Sequence, residues 1–474
     1  MTYPLIIQGG MGAGISNWFL ARTISQMGQL GVVSGTALDL ILARRLQLGD
    51  EKGDIRRAME HFPDQRIAES VLKKHFIPGG KKVDAPFKAI PVFSQIPSKE
   101  LLELNVLGNF VEVFLAKENH SNPVGINYME KIQLPNLSSI YGALLAGIDY
   151  ILMGAGIPRE IPGILDKLIL HEKAETTLHI VENSAQDNYK MLFDPKQVVP
   201  LNIPPLRRPQ FFPIVSSEIL AVTLLKKSNG KIDGFIFEGP TAGGHNTPPR
   251  GSLQLNPKGE PMYGPKDDVN LDKISNIGIP FWLAGSYGEP GQLKKALQAG
   301  AKGIQIGTPF AFSKESGLEE TIKQKLLEKA ARGEAEVITD HLASPAGFPF
   351  KVAILESSIS EKNVYESRKR ICDLGYLRHI YKKSDGSLGY RCPAEPVEAY
   401  VSKGGKQEDT IRRKCLCNCL MANMGLPQKR ANGYVEKPLV TAGQNLNGIS
   451  CYFKNGNLSY SSKEVIDRLL SGIN

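Results

Sequence analysis

From Leu5 to Ile306, short apolar runs rich in β-branched residues alternate with amphipathic segments, which restricts the chain to folds built on a parallel sheet. Strands are expected to begin at Leu5, Gly31, Val124, Tyr150, Thr177, Ile232, Ile279 and Gly303. Helical patterns occupy residues 17–29, 37–48, 137–146, 161–170, 217–227 and 290–299. Eight strands in this rhythm predict an α/β chain folded as a (β/α)8 TIM barrel, with an open doubly wound sheet as the alternative.

The rhythm breaks in three places. Residues 51–75 are charged and helical and lead into the loop Pro78-Gly79-Gly80-Lys81-Lys82, so a helical insertion is expected at about 51–82. Residues 188–210 are proline-rich and are expected to form a loop over the barrel mouth. After Thr339 the alternation fails, which divides the chain into a barrel at 1–339 and a C-terminal extension of helices and loops at 340–474.

At 474 residues, 42% hydrophobic and 22% charged, the chain can bury a full core. Met1-Thr2-Tyr3-Pro4-Leu5 enters a strand at once, without the basic segment and cleavage site of a signal peptide. The most apolar window, 137–158, contains Asp149, Pro158 and several glycines, a helix followed by a strand and not a membrane span. A cytoplasmic enzyme is expected. The net charge of +9 is scattered, and Lys81-Lys82, Arg207-Arg208 and Arg412-Arg413-Lys414 are short runs without interleaved aromatics. Neither nucleic acid nor membrane is expected as a partner, although the positive field suits anionic substrates, acyl carriers or phosphates.

The chemistry concentrates where strands end. Apolar residues 232–237 run into Glu238-Gly239-Pro240-Thr241-Ala242-Gly243-Gly244-His245-Asn246, at the sheet edge where α/β folds keep their sites. Glycines there let backbone approach a flat ligand, and His245 is the one nearby side chain that titrates near neutrality. His245 is the catalytic candidate, and Glu238 could orient it or the ligand. Two further strands end in Ala284-Gly285-Ser286-Tyr287-Gly288 and Gln305-Ile306-Gly307-Thr308. One helix of about three turns separates them, so Gly285 and Gly307 should sit side by side as a phosphate pocket, with Ser286 and Thr308 as hydroxyl donors. The opening Gln8-Gly9-Gly10-Met11-Gly12-Ala13-Gly14 lacks the last glycine of G-x-G-x-x-G and the following ribose-binding acid, so it is not a dinucleotide fingerprint. Its glycines suit a strand end beneath a planar ring, with Met11 as a soft contact.

All six cysteines, Cys372, Cys392, Cys415, Cys417, Cys419 and Cys451, fall in the extension. Cys415-Leu416-Cys417-Asn418-Cys419 matches neither paired C-x-x-C nor a ferredoxin spacing, so reduced buried thiols and no metal are expected. The histidines at 61, 75, 120, 171 and 179 have no partner at metal spacing, and His341 and His379 lie in the tail.

Residues 8–14, Pro123-Val124-Gly125-Ile126-Asn127, the loop ending at His245, Ala284-Gly285 and Gln305-Ile306-Gly307-Thr308 together resemble the nitronate monooxygenase (2-nitropropane dioxygenase) family. That family is related to flavin-dependent enoyl reductases and to reductase components of polyunsaturated fatty-acid and polyketide synthases. The resemblance covers about the first two thirds of the chain and implies an FMN-binding TIM barrel. By position it assigns the phosphate to Gly285, Gly288, Gly307 and Thr308, and the isoalloxazine to Gly10, Met11, Asn127 and Gln305, with Glu238, Gly243, Gly244 and Ser286 completing the cofactor site. His245 matches the catalytic histidine. The first activity implied is oxidation of alkyl nitronates by O2. The alternative is NAD(P)H-driven reduction of a carrier-bound enoyl group, with a synthase complex or a homo-oligomer as assembly. A non-catalytic flavoprotein is the third option. The opening lacks the proline that many members carry before the methionine, and the insertion and tail lie outside the minimal barrel. These departures resemble the longer, synthase-associated members.

Overall fold

The computed structural model describes residues 3–182, 188–199 and 203–473. Eight parallel strands, β1 (Ile6–Gln8), β2 (Gly31–Ser34), β3 (Val124–Met129), β4 (Tyr150–Gly154), β5 (Gln210–Val215), β6 (Phe235–Glu238), β7 (Phe281–Ala284) and β8 (Gly303–Ile306), lie in the order β1-β8-β7-β6-β5-β4-β3-β2. The ends meet. Ile7 bridges Leu30 in parallel, the Gln8 amide donates to the Leu30 carbonyl at 2.9 Å, and the Leu30 amide donates to that of Ile6 at 3.0 Å. The sheet is therefore a closed (β/α)8 barrel and not an open doubly wound sheet.

Aromatic side chains fill the barrel at the N-terminal ends of the strands. Trp282 is fully buried, stacks on Phe212 with centroids 4.8 Å apart, and donates its indole N–H to the Pro4 carbonyl at 2.8 Å. Tyr150 meets Phe212 edge-on at 5.2 Å. With that end plugged, the C-terminal ends of the strands are left to hold a ligand.

One strand departs from expectation. The fifth barrel strand is β5 at Gln210–Val215, not the stretch beginning at Thr177. Ala174–Thr177 instead pairs antiparallel with Lys190–Phe193, and Ile180–Val181 joins His379–Lys382 of the extension. Pro213 hides β5 in the sequence, because a proline cannot donate to the ladder and argues against an interior strand. The described part of 188–210 forms the short strand Lys190–Phe193 and the helical turn Pro195–Val198 before β5. It lines no part of the cavity at the barrel mouth, contrary to the loop expected there.

The insertion holds helices Asp54–Met59 and Gln65–His75. Before β3 comes Lys99–Lys117, a 19-residue helix that the strand-helix pattern did not reveal. It is buried on nearly every side, so it lacks a polar stripe. Its buried Asn105 donates to Ser138 Oγ at 2.7 Å, and its Asn109 Oδ1 accepts from the Tyr128 hydroxyl at 2.9 Å. Among the described residues no helix is long and apolar enough to cross a membrane.

Residues 340–473 return to the barrel mouth. The Asn246 amide donates to the Pro349 carbonyl, the Lys351 amide to that of Gly244 and the Gln444 amide to that of Thr241, each at 2.9 Å. The last helix, Ser462–Ser471, starts in a Ser461/Glu464 capping box and packs on Trp18–Gln26.

Candidate functional site

His245 and all twelve residues expected to bind cofactor line one cavity of about 280 Å³ at the C-terminal ends of the strands. The barrel register explains the gathering. Ala284 of β7 lies opposite Glu238 of β6, and Gln305 of β8 lies opposite Ala284, so the three βα turns open side by side.

Several walls tolerate only glycine. A Cβ on Gly10 would stand 2.3 Å from Asn127 Cβ, and one on Gly288 would stand 2.8 Å from Pro309 Cγ. Gly285 has φ +93°, and a Cβ on Gly307 would meet Met11 Sδ at 3.2 Å. Ser286 also adopts a left-handed conformation, at φ +59°, outside the range most side chains accept. The Thr308 hydroxyl oxygen accepts the Gly443 amide at 2.8 Å and keeps its own hydrogen to donate.

The fit to FMN rests on two atoms. Asn127 Oδ1 and Gln305 Oε1 are buried in the wall without a protein partner. An unpaired buried acceptor costs about 1–3 kcal/mol, and a ring N–H of a flavin would be a donor of the kind they need. The residues present therefore fit the cofactor implied by resemblance: Gly10, Met11, Asn127 and Gln305 would hold its ring, and the turns of Gly285 and Gly307 would hold its phosphate.

Much of the site comes from residues the sequence pattern passed over. His245 Nε2 lies 2.7 Å from Ser344 Oγ, and its ring meets Phe350 edge-on at 4.8 Å. The Ala346 amide already donates to Ser344 Oγ at 3.1 Å, which leaves the serine hydrogen for Nε2 and favours the tautomer with N–H at Nδ1. The Gly244 amide donates to Thr441 Oγ1 at 2.8 Å, and Gly243 lies so close to Ala442 that a Cβ would stand 2.9 Å from its carbonyl carbon. Thr441, Gly443 and Asn445 also line the cavity.

Burial and the neighbouring Lys131 push the His245 pKa well below its ordinary value, so the imidazole is neutral at physiological pH. Lys131, just past β3, has a buried Nζ with no hydrogen-bond partner, 3.7 Å above the Phe348 ring. Burial brings its pKa down to about 7. Burial raises Glu238 to about 7. Lys131 follows a strand's C-terminal end directly, a signal available in the sequence.

A second cavity of about 270 Å³ adjoins the first. The two share Ala155, Ile214, Glu238 and His245, and the second continues between Ile157, Leu220, Pro240 and Phe348 to Arg250 and Tyr263.

Residues 211–341 match the family model described as nitronate monooxygenase. A (3aS,4S,5R,7aS)-5-hydroxy-7a-methyl-1-oxo-octahydro-1H-indene-4-carboxyl-CoA dehydrogenase of Mycobacterium tuberculosis is 30% identical over 138 residues, 29% of this chain and 34% of the relative. A probable nitronate monooxygenase of Staphylococcus haemolyticus is 32% identical over 97 residues, 20% of this chain and 26% of the relative. The chain thus spans about a third or less of the length of the curated relatives it matches. FabK from Thermotoga maritima aligns over 100% of this chain and 93% of its own, with a TM-score of 0.48 and 16% identity. The segment similar to the nitronate monooxygenase family model carries β6 to β8, the glycine loop and His245.

Proposed function

We propose that the protein is an FMN-dependent oxidoreductase that reduces an extended α,β-unsaturated acyl thioester with NAD(P)H as electron donor. The observation that carries this reading is the meeting of two cavities at Glu238 and His245, one sized for a cofactor and one running outward between apolar walls. A small alkyl nitronate has no use for the second cavity, whereas an acyl chain does. The second cavity thus supports the thioester over nitronate oxidation, the activity that resemblance put first. The name of the Mycobacterium tuberculosis relative, a dehydrogenase of a carboxyl-CoA thioester, is in keeping with it.

FMN, when bound, supplies two-electron transfer to a carbon next to its ring. The chain's own residues do the rest. A neutral His245, held at Nε2 by Ser344, presents Nδ1–H to the substrate carbonyl oxygen and stabilises the charge that gathers there. Glu238, held protonated near neutrality by burial, stands where the two cavities join and is placed to hold or release a proton. The apolar walls exclude water from the reacting carbons.

The test is anaerobic stopped-flow with NADPH in one syringe and an alkyl nitronate in another, followed by an enoyl thioester chase. Bleaching by NADPH and recovery with the enoyl thioester are expected. Bleaching by nitronate alone would return the nitronate reading, and FAD or no flavin in the denatured supernatant would remove the cofactor assignment.

A further inference from the structure

Cys372, Cys392, Cys415 and Cys417, apart in sequence, line one small cavity of about 10 Å³, on the order of a single water molecule. Cys372 lies before and Cys392 directly after the hairpin of His379–Lys382 and Leu388–Arg391, and both thiols line this cavity. Cys415 stands at the N-cap position of the helix Leu416–Asn423, and Cys417 lies in its first turn.

The Cys372 side chain and burial raise the Cys392 thiol above its ordinary value, burial raises those of Cys415 and Cys417, and Cys415 Sγ donates to the Ile371 carbonyl at 3.7 Å. The Asn418 side-chain amide donates to Cys415 Sγ at 3.5 Å. Arg368, Arg378 and Arg413 lie within electrostatic reach of Cys415, Cys372 and Cys392.

We infer that Cys372, Cys392, Cys415 and Cys417 bind one zinc ion in a tetrahedral all-thiolate site. This replaces the metal-free expectation drawn from spacing, which could not see that the hairpin and the helix end meet. Among the described residues no three His, Cys, Asp or Glu side chains are already gathered to hold a metal. Zinc has to draw the four sulfurs inward. Each thiol yields its proton to solvent, so four protons leave as four Zn–S bonds form, and the arginines offset the resulting double negative charge. No oxidant or reductant takes part.

The site would also brace the catalytic candidate. Pro345 forms part of its wall and its carbonyl accepts from His379 Nε2 at 2.8 Å, and the preceding Ser344 contacts His245. Zinc here is structural, because all four positions are taken by protein sulfur.

The experiment is elemental analysis of the full chain purified without added metal or chelator. About one zinc per chain is expected, lost in Cys392→Ser and in Cys417→Ser and kept in Cys451→Ser, whose thiol lies outside the cluster. Because the two cluster variants could misfold, the wild-type protein is also grown with cobalt(II). A thiolate-to-cobalt charge-transfer band and intense tetrahedral d–d bands are expected. Absence of stoichiometric zinc together with absence of that spectrum would overturn the site, as would zinc undiminished in both folded variants or a Cys372–Cys392 disulfide in non-reducing peptide maps.

Discussion

His245 and Ser344 are joined by a 2.7 Å contact between Nε2 and Oγ, although 99 residues separate them in the chain. The histidine comes from the barrel and the serine from the extension, so the orientation of the proposed catalytic ring depends on a segment outside the strand-helix repeat. His245→Ala is expected to keep FMN and lose about two to four orders of magnitude in turnover. Ser344→Ala should lose less, about ten- to a hundredfold in kcat with KM little changed, because the ring remains but its tautomer is no longer fixed. Steady-state kinetics on both variants checks the order. Equal losses, or none in either, would separate His245 from the chemistry.

The phosphate turns make a binding prediction. Valine at Gly285 meets both a left-handed backbone and Thr241 Oγ1 at 3.1 Å, and valine at Gly307 presses on Met11. Both variants should fold and purify with little or no flavin, as read by the visible spectrum against protein concentration. Full FMN occupancy in both would reduce these glycines to simple turn formers.

Glu238 gives a pH signature in the flavin-free protein. Its folded pKa of about 7 lies above the ordinary value of 4.5, so the native state prefers the protonated acid. Folding is not penalised below the unfolded pKa. Stability is lost as pH rises from 4.5 towards 7, and the loss is complete above that. Glu238→Gln should therefore melt with the wild type near pH 4 and above it near pH 8. A variant less stable than wild type at the higher pH would mean that the carboxylate is charged and paired.

Thr441 tests how far the extension belongs to the site. Its hydroxyl is the acceptor for the Gly244 amide, so Thr441→Val leaves that N–H unpaired beside His245 and should cost about 1–3 kcal/mol. Thr441→Ser should restore melting temperature and turnover. A chain truncated after residue 339 loses Ser344, Thr441 and Gly443 together and is expected not to retain FMN. Retention of full flavin by the truncated chain would make the barrel self-sufficient.

Seven of the eight barrel strands were legible in the sequence, because parallel strands buried on both faces leave a period in the chain that local pattern can read; the closure of the sheet was decided by the Ile7–Leu30 pairing. The sequence also located the turns at β6, β7 and β8, where glycine, histidine and hydroxyl residues follow an apolar run directly. β5 escaped because Pro213 contradicts a local rule that the closed barrel overrides, and Lys99–Lys117 escaped because a helix buried all round has no amphipathic stripe. Ser344, Phe350 and Thr441 carry no local sign of function; they reach His245 and Gly244 only because the extension folds back over the barrel mouth. The cysteines follow the same logic. Side-chain identity and local spacing are properties of the chain, but which distant groups share a cavity, a hydrogen bond or a desolvated charge is decided by packing, and the proposed chemistry of this site is made of such meetings.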